Sequence, residues 1–154
     1  MKVDIASIKG GEIPVDPLTI SYFVKSSSDK RFYKDESALK KLNNAIKIDD
    51  VNFTSYDVIF ISGGWGGAYD LGTSDTLARG ISDAYYAGSI IGAICHGPLG
   101  LINAKDLNGR TLIKDRRITG VTNKQVKELG ISMTPQHPES CLLYTSDAAD
   151  ESDR

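Results

Sequence analysis

Cysteine and histidine are scarce in this sequence, with two of each among 154 residues. Two cysteines are too few for a disulfide framework, so we expect a chain made for a reducing compartment, the cytoplasm. Cys95 and His96 are adjacent, and no second spaced pair of such residues accompanies them. This spacing excludes the usual structural zinc sites, and we predict that the protein holds no metal.

Long hydrophobic runs and an excess of one charge are also lacking. No stretch approaches the roughly 20 apolar residues of a membrane span, and no apolar segment follows Lys2 in the manner of a signal peptide. The net charge of −2 gives no reason to expect nucleic acid or a membrane as partner. The stretch "GGWGG" at residues 63–67 lacks the lysine of a P-loop, so no nucleotide phosphate site is predicted.

Short apolar runs alternate with helical patterns along the chain. "VIFIS" at 58–62 and "SIIGAI" at 89–94 are continuous runs, typical of parallel strands that are buried on both faces. We predict one parallel sheet that contains strands at residues 2–7, 57–62 and 89–94. The order of strands and helices predicts an α/β sandwich, with helices on both faces of this sheet.

The remaining segments are assigned from caps and helix breakers. Asp35 can begin a helix whose apolar face extends to Ile46, and Ser74 or Thr73 can begin another that presents Leu77. Residues 18–34 have a weak period and are predicted to be irregular. The other predicted elements are a helix over 97–104, a hairpin or two short strands at 112–113 and 117–119, and a helix from Asn123 to Gly130.

Cys95 follows the second buried run directly, in the segment "AICHGPLG". Ala93 and Gly97 stand two positions before and after it, as the sharp turn of a nucleophile elbow requires. Such a turn lifts the side chain to the carboxyl edge of the sheet, and to a helix start, where the dipole favours a thiolate. Spacing alone does not separate a nucleophile from an inert buried cysteine. The adjacent His96 and the preceding glycine-rich loop favour the nucleophile.

The glycine-rich loop is expected to meet the Cys95 turn, because the ends of neighbouring parallel strands lie together. The backbone N–H groups of Gly64 and His96 would then face the oxygen of a substrate that is bound to Cys95. Two such donors would form an oxyanion hole. Glycine suits a position where the backbone approaches a ligand closely, although a flexible turn explains the same residues. Trp65 has two equal interpretations, as the wall of a pocket or as a cover for the sheet edge.

Three segments together resemble the DJ-1/PfpI superfamily, and its Hsp31-like branch most: "YDVIFISGGWGGAYDL", "AICHGP" and "GRTLIKDRRITGVTN". The resemblance covers roughly residues 2–140. It implies a flavodoxin-like three-layer α/β fold, often dimeric, that needs no cofactor. The implied activity is that of a glutathione-independent glyoxalase, which converts methylglyoxal to lactate. A peptidase- or amidase-like hydrolase, or a non-enzymatic holdase chaperone or redox sensor, stays open as an alternative.

The resemblance also assigns roles to individual residues. The substrate would be a small reactive carbonyl compound or a peptide, and a second copy of the chain would complete a homodimer. The implied site comprises Cys95 as nucleophile, His96 as its partner, Gly64 and His96 as oxyanion donors, and Gly63, Trp65 and Gly97 as pocket residues.

Three departures from the family pattern accompany the resemblance. The chain starts at what corresponds to the family's second strand, which leaves out a glutamate that contacts the cysteine in relatives. Residues 122–126 lack the acidic residue that many relatives carry there, since Gln125 can only hydrogen-bond and Glu128 is misplaced by two positions. The chain also stops before what corresponds to the family's last strand and helix, and "CLLYTSDAADE" at that point resembles the translation of a transposase sequencing adapter. We therefore expect a partial domain at 1–140, incomplete at both termini, and a non-native tail at 141–154.

Overall fold

Residues 2–15, 26–128 and 138–142 are described by the computed structural model. The chain divides after Val51 into two units, residues 1–51 and 52–154. The predictions made for residues 18–25 and for a helix end at Gly130 lie outside the described residues.

The described part of the first unit contains two short parallel strands and two α-helices. Ser26 and Asp29 form a reciprocal capping box in which each side chain accepts a hydrogen bond from the other's backbone N–H. This cap begins a helix, so the prediction of irregular structure over 18–34 was wrong for residues 27–32. The elements are β1 (Ala6–Ser7), α1 (Ser27–Phe32), α2 (Glu36–Asn43) and β2 (Ile46–Lys47).

Helix α2 begins as the sequence predicts but ends earlier. The Asp35 carboxylate accepts hydrogen bonds from the backbone N–H groups of Ser37 and Ala38, which confirms it as the cap. Ile46 does not continue the helix. It lies in β2 and pairs with Ala6 of β1, because a partner strand offers its backbone the hydrogen bonds that the helix would have supplied.

The second unit is built around a strand–helix–strand unit. Val58–Ile61 (β3) and Ile90–Ala93 (β4) pair in parallel, with Val58 opposite Ile90 and Ile61 opposite Ala93. The chain between them forms α3 (Gly67–Asp70) and α4 (Asp75–Tyr86). The Ser74 hydroxyl accepts a hydrogen bond from the Leu77 N–H, which confirms Ser74 as the cap of α4.

One side of the β3–β4 pair carries the core of this unit. Gly80 of α4 lies against Phe53, since a Cβ there would come within 2.3 Å of that ring. Gly100 approaches Ile61 and Leu77 closely in the same way. Hydrophobic side chains with 4% or less of their surface exposed on α4 and after β4 include Leu77, Ile81, Ala84, Leu99, Ala104 and Ile113.

The other side of β3 and β4 is exposed, which corrects the prediction that both faces are buried. Val58, Phe60 and Ile90 are 51%, 64% and 67% exposed. Alternate side chains of a strand point to opposite faces, and only the face of Ile61 is covered. The single predicted sheet is also wrong for the described residues, in which β1–β2 and β3–β4 form two separate two-stranded sheets.

Beyond β4, turns replace two of the predicted elements. A five-residue 3-10 helix (Gly97–Leu101) takes the place of the helix over 97–104. The strands predicted at 112–113 and 117–119 are absent from this described segment, where a turn brings Asp115 to a φ of +60°. A tight turn precedes it instead, in which Asp106 accepts hydrogen bonds from the backbone of Asn108 and Arg110.

Two short helices follow, α5 (Asn123–Glu128) and α6 (Pro138–Leu142). Asn123, the predicted cap, is the first residue of α5. Thr122 takes the capping role, because its hydroxyl accepts from the Gln125 N–H while the Gln125 amide oxygen accepts from the Thr122 N–H. Within the described ranges, the structure has no helix with the length and apolar character that crossing a membrane requires.

Candidate active site

Cys95 occupies the corner of a tight turn at the end of β4. Its φ is +59°, while His96 has φ −83° and ψ −11°, and the Gly97 N–H donates to the Ile94 carbonyl at 2.7 Å. A positive φ at the first corner and a negative φ at the second are features of a type II′ turn. Ile94 still pairs with β3 through the Ile61 carbonyl, at 3.2 Å. The prediction that Cys95 lies immediately beyond a strand end is therefore confirmed.

Two glycines allow the turn to sit tightly against β3 and its following loop. A Cβ at Gly97 would come within 2.3 Å of the Ile61 carbonyl oxygen. A Cβ at Gly63 would lie 2.5 Å from the Cys95 Cβ and 2.8 Å from the Ile94 oxygen. Both distances are far below normal contact, so glycine is required at each position. The predicted meeting of the glycine-rich loop with the Cys95 turn is confirmed by these contacts.

The Cys95 side chain is exposed and faces a buried histidine. Its Sγ lies 3.5 Å from Nδ1 of His96, whose side chain is only 1% exposed. The inert buried cysteine considered from the sequence is therefore excluded as a description of this residue. The element that follows Cys95 is a five-residue 3-10 helix in place of the predicted longer helix, and His96 is the side chain that lies against the thiol.

Trp65 lies beside the same histidine. The two ring centroids are 4.8 Å apart and the ring planes are inclined by 58°. Trp65 is half-buried, and its own backbone carbonyl accepts the Ala68 N–H at the start of α3. The structure thus places Trp65 against His96, a contact that neither sequence interpretation described.

Gly64 has a backbone conformation that favours glycine. Its φ is +114°, and a Cβ there would meet no atom within 4 Å. Its carbonyl accepts the Gly67 N–H, while its own N–H donates to no group in the described part of the chain. The assignment of the Gly64 and His96 N–H groups as oxyanion donors stays a prediction.

A shallow open depression of about 600 Å³ adjoins Cys95. Glu128 contributes a carboxylate to its wall, while the side-chain oxygen of Gln125 already caps α5. Gly63, Trp65 and Gly97 lie around Cys95 and His96 but do not line this depression, so their role as pocket residues stays a prediction. Among the described residues, the lining is formed by Ala93, Ile94, Cys95, Thr119, Gly120, Val121, Gln125 and Glu128.

The segment 119–121 forms part of this depression and was missed from the sequence. The Val121 N–H donates to the Cys95 carbonyl at 3.2 Å. A Cβ added at Gly120 would lie 3.1 Å from the Pro138 Cβ and 3.6 Å from the same Cys95 carbonyl oxygen. The glycine in "ITGV" was the available signal. In the described parts of the chain, no cluster of three or more His, Cys, Asp or Glu side chains is arranged to hold a metal ion.

The arrangement of elbow, adjacent histidine and glycine-rich loop agrees with a family-level match. The model of the DJ-1/PfpI family matches residues 2–148. The chain belongs to the DJ-1/PfpI family. The family match continues past residue 140, and helix α6 also crosses that position. The domain boundary predicted at residue 140 and the non-native tail predicted at 141–154 stay predictions.

Solved and curated DJ-1/PfpI relatives support the fold. The X-ray structure of Rapid Encystment Protein 24 kDa from Francisella tularensis is 35% identical, with a TM-score of 0.84 over 96% of this chain and 67% of that one. Glyoxalase III from Candida albicans is 25% identical, with a TM-score of 0.78 over 96% of this chain and 66% of that one. These neighbours confirm the predicted flavodoxin-like α/β class.

Among curated sequences, "Probable glutathione-independent glyoxalase hsp3104" of Schizosaccharomyces pombe is 31% identical over 121 residues. The match covers 77% of this chain and 54% of that protein. The chain spans about half the length of the curated relatives it matches.

Proposed function

We propose that this protein is a glutathione-independent glyoxalase that converts a small 2-oxoaldehyde, such as methylglyoxal, to the 2-hydroxy acid. The observation that carries the proposal is the exposed Cys95 thiol, held at a positive φ 3.5 Å from the His96 ring. Relatives named as glutathione-independent glyoxalases or glyoxalase 3, at 26–34% identity, support it. A cytoplasmic location and a homodimer belong to the same proposal.

The reaction begins with attack of the Cys95 thiolate on the aldehyde carbon. His96 takes the thiol proton, since Nδ1 is the ring atom next to Sγ. A carbon–sulfur bond forms and the carbonyl electron pair moves to the oxygen. The backbone N–H groups of Gly64 and His96 then stabilise the resulting alkoxide of the hemithioacetal.

The second stage moves a proton between the two carbons of the substrate. His96 first returns the thiol proton to the alkoxide and is then free to act as the base. It removes the proton from C1, an enediol forms, and the proton is returned at C2. C1 is thereby oxidised to a thioester and C2 is reduced to an alcohol, so no external oxidant or reductant is needed. Water then cleaves the thioester, which releases lactate and restores the Cys95 thiolate. Methylglyoxal and water together give lactate and one proton.

The depression beside Cys95 suits a small uncharged substrate. The lining residues that the structure describes include Glu128 and no lysine or arginine. An anionic 2-oxo acid would be repelled by a carboxylate there, with no cation among the described lining residues to offset the repulsion. A neutral 2-oxoaldehyde meets no such repulsion.

The test is lactate formation from methylglyoxal by the purified chain and by two cysteine variants. We expect Cys95→Ser to abolish the lactate and Cys141→Ser, the matched control, to keep it. Equal turnover in Cys95→Ser would overturn the proposal. Cleavage of amide substrates without lactate would favour the hydrolase instead. Suppression of aggregation that survives Cys95→Ser, without lactate, would favour the holdase.

A further inference from the structure

We propose that Trp65 is a positioning residue, which holds the His96 ring against the Cys95 thiol and favours its protonated form. The inference rests on the Cys95–His96 pair of the proposed function and names the group that controls that pair. The rings of Trp65 and His96 lie 4.8 Å apart at 58°. This separation is within the range of favourable aromatic contacts.

Trp65 is itself held in place on both sides along the chain. Two residues before it, Gly63 lies so close to Cys95 that no Cβ fits between them. Three residues after it, Ala68 is completely buried and donates its N–H to the Trp65 carbonyl at 3.1 Å. The indole therefore lies on a short segment that is anchored at the site and in the core.

The contact restricts the part of His96 that the chemistry uses. Nδ1 reaches the Cys95 sulfur at 3.5 Å only while the imidazole keeps its present rotation. The indole occupies space into which the ring would otherwise turn. A smaller side chain at position 65 would free that rotation, and the thiol would lose its nearest proton acceptor for part of the time.

The chemistry of the indole adds to its shape. The face of an aromatic ring attracts a cation, and tryptophan does so most strongly. When Cys95 passes its proton to His96, the histidine becomes the imidazolium that such a ring stabilises. Trp65 therefore favours the thiolate–imidazolium pair over the neutral thiol–imidazole pair, and the thiolate is the form that reacts with electrophiles.

The experiment measures alkylation of Cys95 by iodoacetamide, in which a carbon–sulfur bond forms and iodide leaves. It needs no substrate, so its outcome is independent of whether the protein is a glyoxalase. The purified chain is labelled between pH 5 and 9, and modification of Cys95 and of Cys141 is followed separately by peptide mass spectrometry. Cys141 serves as the internal control.

Three variants separate positioning from packing. Trp65→Leu removes the aromatic face, Trp65→Phe keeps a smaller one, and Phe60→Leu is the matched aromatic-to-leucine change at an exposed residue of β3. We expect Trp65→Leu to slow alkylation of Cys95 at neutral pH by about threefold to tenfold, consistent with a cation–π contact of this kind. Its pH profile should move upward, and Trp65→Phe should recover much of the loss.

The control results decide the interpretation. Phe60→Leu should leave the Cys95 profile unchanged, and the rate at Cys141 should be the same in all variants. An unchanged Cys95 profile in Trp65→Leu would overturn the proposal. A slower reaction without a shifted profile and without recovery in Trp65→Phe would also overturn it, because Trp65 would then act by packing alone. If Trp65→Leu fails to fold, the pH profiles of Cys95 alkylation in Trp65→Phe and Phe60→Leu are compared instead. A profile that moves upward only in Trp65→Phe supports the proposal, and an unchanged profile in Trp65→Phe overturns it.

Discussion

A single methyl group added at Gly63 should disable the site more than it destabilises the fold. The added Cβ would lie 2.5 Å from the Cys95 Cβ and 2.8 Å from the Ile94 carbonyl oxygen. Non-bonded carbons settle at about 3.5–4.0 Å, so the loop or the Cys95 turn must move by about 1 Å. A displacement of about 1 Å at reacting groups can cost on the order of 100-fold in rate.

The cost to stability should be moderate in comparison. Overpacking of a close contact costs about 1–3 kcal/mol, which corresponds to a fall of about 2–12 °C in Tm for a chain of this size. The assays are thermal unfolding and kcat/KM for methylglyoxal, with the rate of Cys95 alkylation as a second measure of the thiol's position. Both activity measures should fall in Gly63→Ala.

Gly66→Ala is the matched control, three residues further along the same loop. Gly66 has φ −55° and ψ −37°, and a Cβ there would meet no atom within 4 Å. Alanine fits this conformation and should stabilise the fold by about 0.4–1 kcal/mol, because it restricts the unfolded chain. Turnover should be unchanged. Equal activity of Gly63→Ala and Gly66→Ala would refute the argument from close approach.

Three further predictions concern the turn, a helix cap and acid stability. Cys95→Gly should abolish turnover yet raise the free energy of unfolding by about 1 kcal/mol, because it relieves a positive φ in a non-glycine residue; Asp115→Gly, at φ +60°, should stabilise similarly in urea unfolding and keep turnover. A destabilised Cys95→Gly would contradict this. Thr122→Ala should lower stability by about 1 kcal/mol through loss of the α5 cap, and no change in the urea midpoint would show that the cap is unimportant. Burial raises the pKa of Asp106, but hydrogen bonds from Arg110 and a second backbone N–H outweigh this and lower it overall. The stabilisation by this carboxylate is therefore present above the ordinary value of about 3.9 and is lost as pH falls through the lower folded pKa. The difference in Tm between wild type and Asp106→Asn should shrink in that acid range, and a constant difference would contradict the assignment.

The parts of the fold that follow from local chemistry were predictable. The caps Asp35 and Ser74 lie where the sequence placed them, because a cap depends only on residues two or three positions away. The position of Cys95 beyond a strand was predictable for the same reason, since small residues flank it within the turn. The pairs Ser26–Asp29 and Thr122–Gln125 carried the same type of local signal and were overlooked.

The parts that depend on distant partners were not predictable. Ile46 has the spacing of a helix residue, but pairing with Ala6, forty positions away, decides its structure. The exposed side of β3 could not be inferred either, because an apolar run is the same whether one face or both are covered. In β3, Val58 and Phe60 are exposed and Ile61 is buried. This difference arises because other parts of the chain pack on only one face of the strand.

The close contacts of glycines in the candidate site could not be predicted from the sequence. Gly63, Gly97 and Gly120 each come near Cys95 or the strand beside it, and at each position atoms of a distant residue lie close to where a side chain would begin. In the sequence the three glycines are ordinary turn residues, since the partners of these contacts lie 18 to 36 residues away in the chain. The chemistry of Cys95 and His96 therefore depends on residues that contribute no chemical group of their own, which is why we expect single methyl additions there to be so costly.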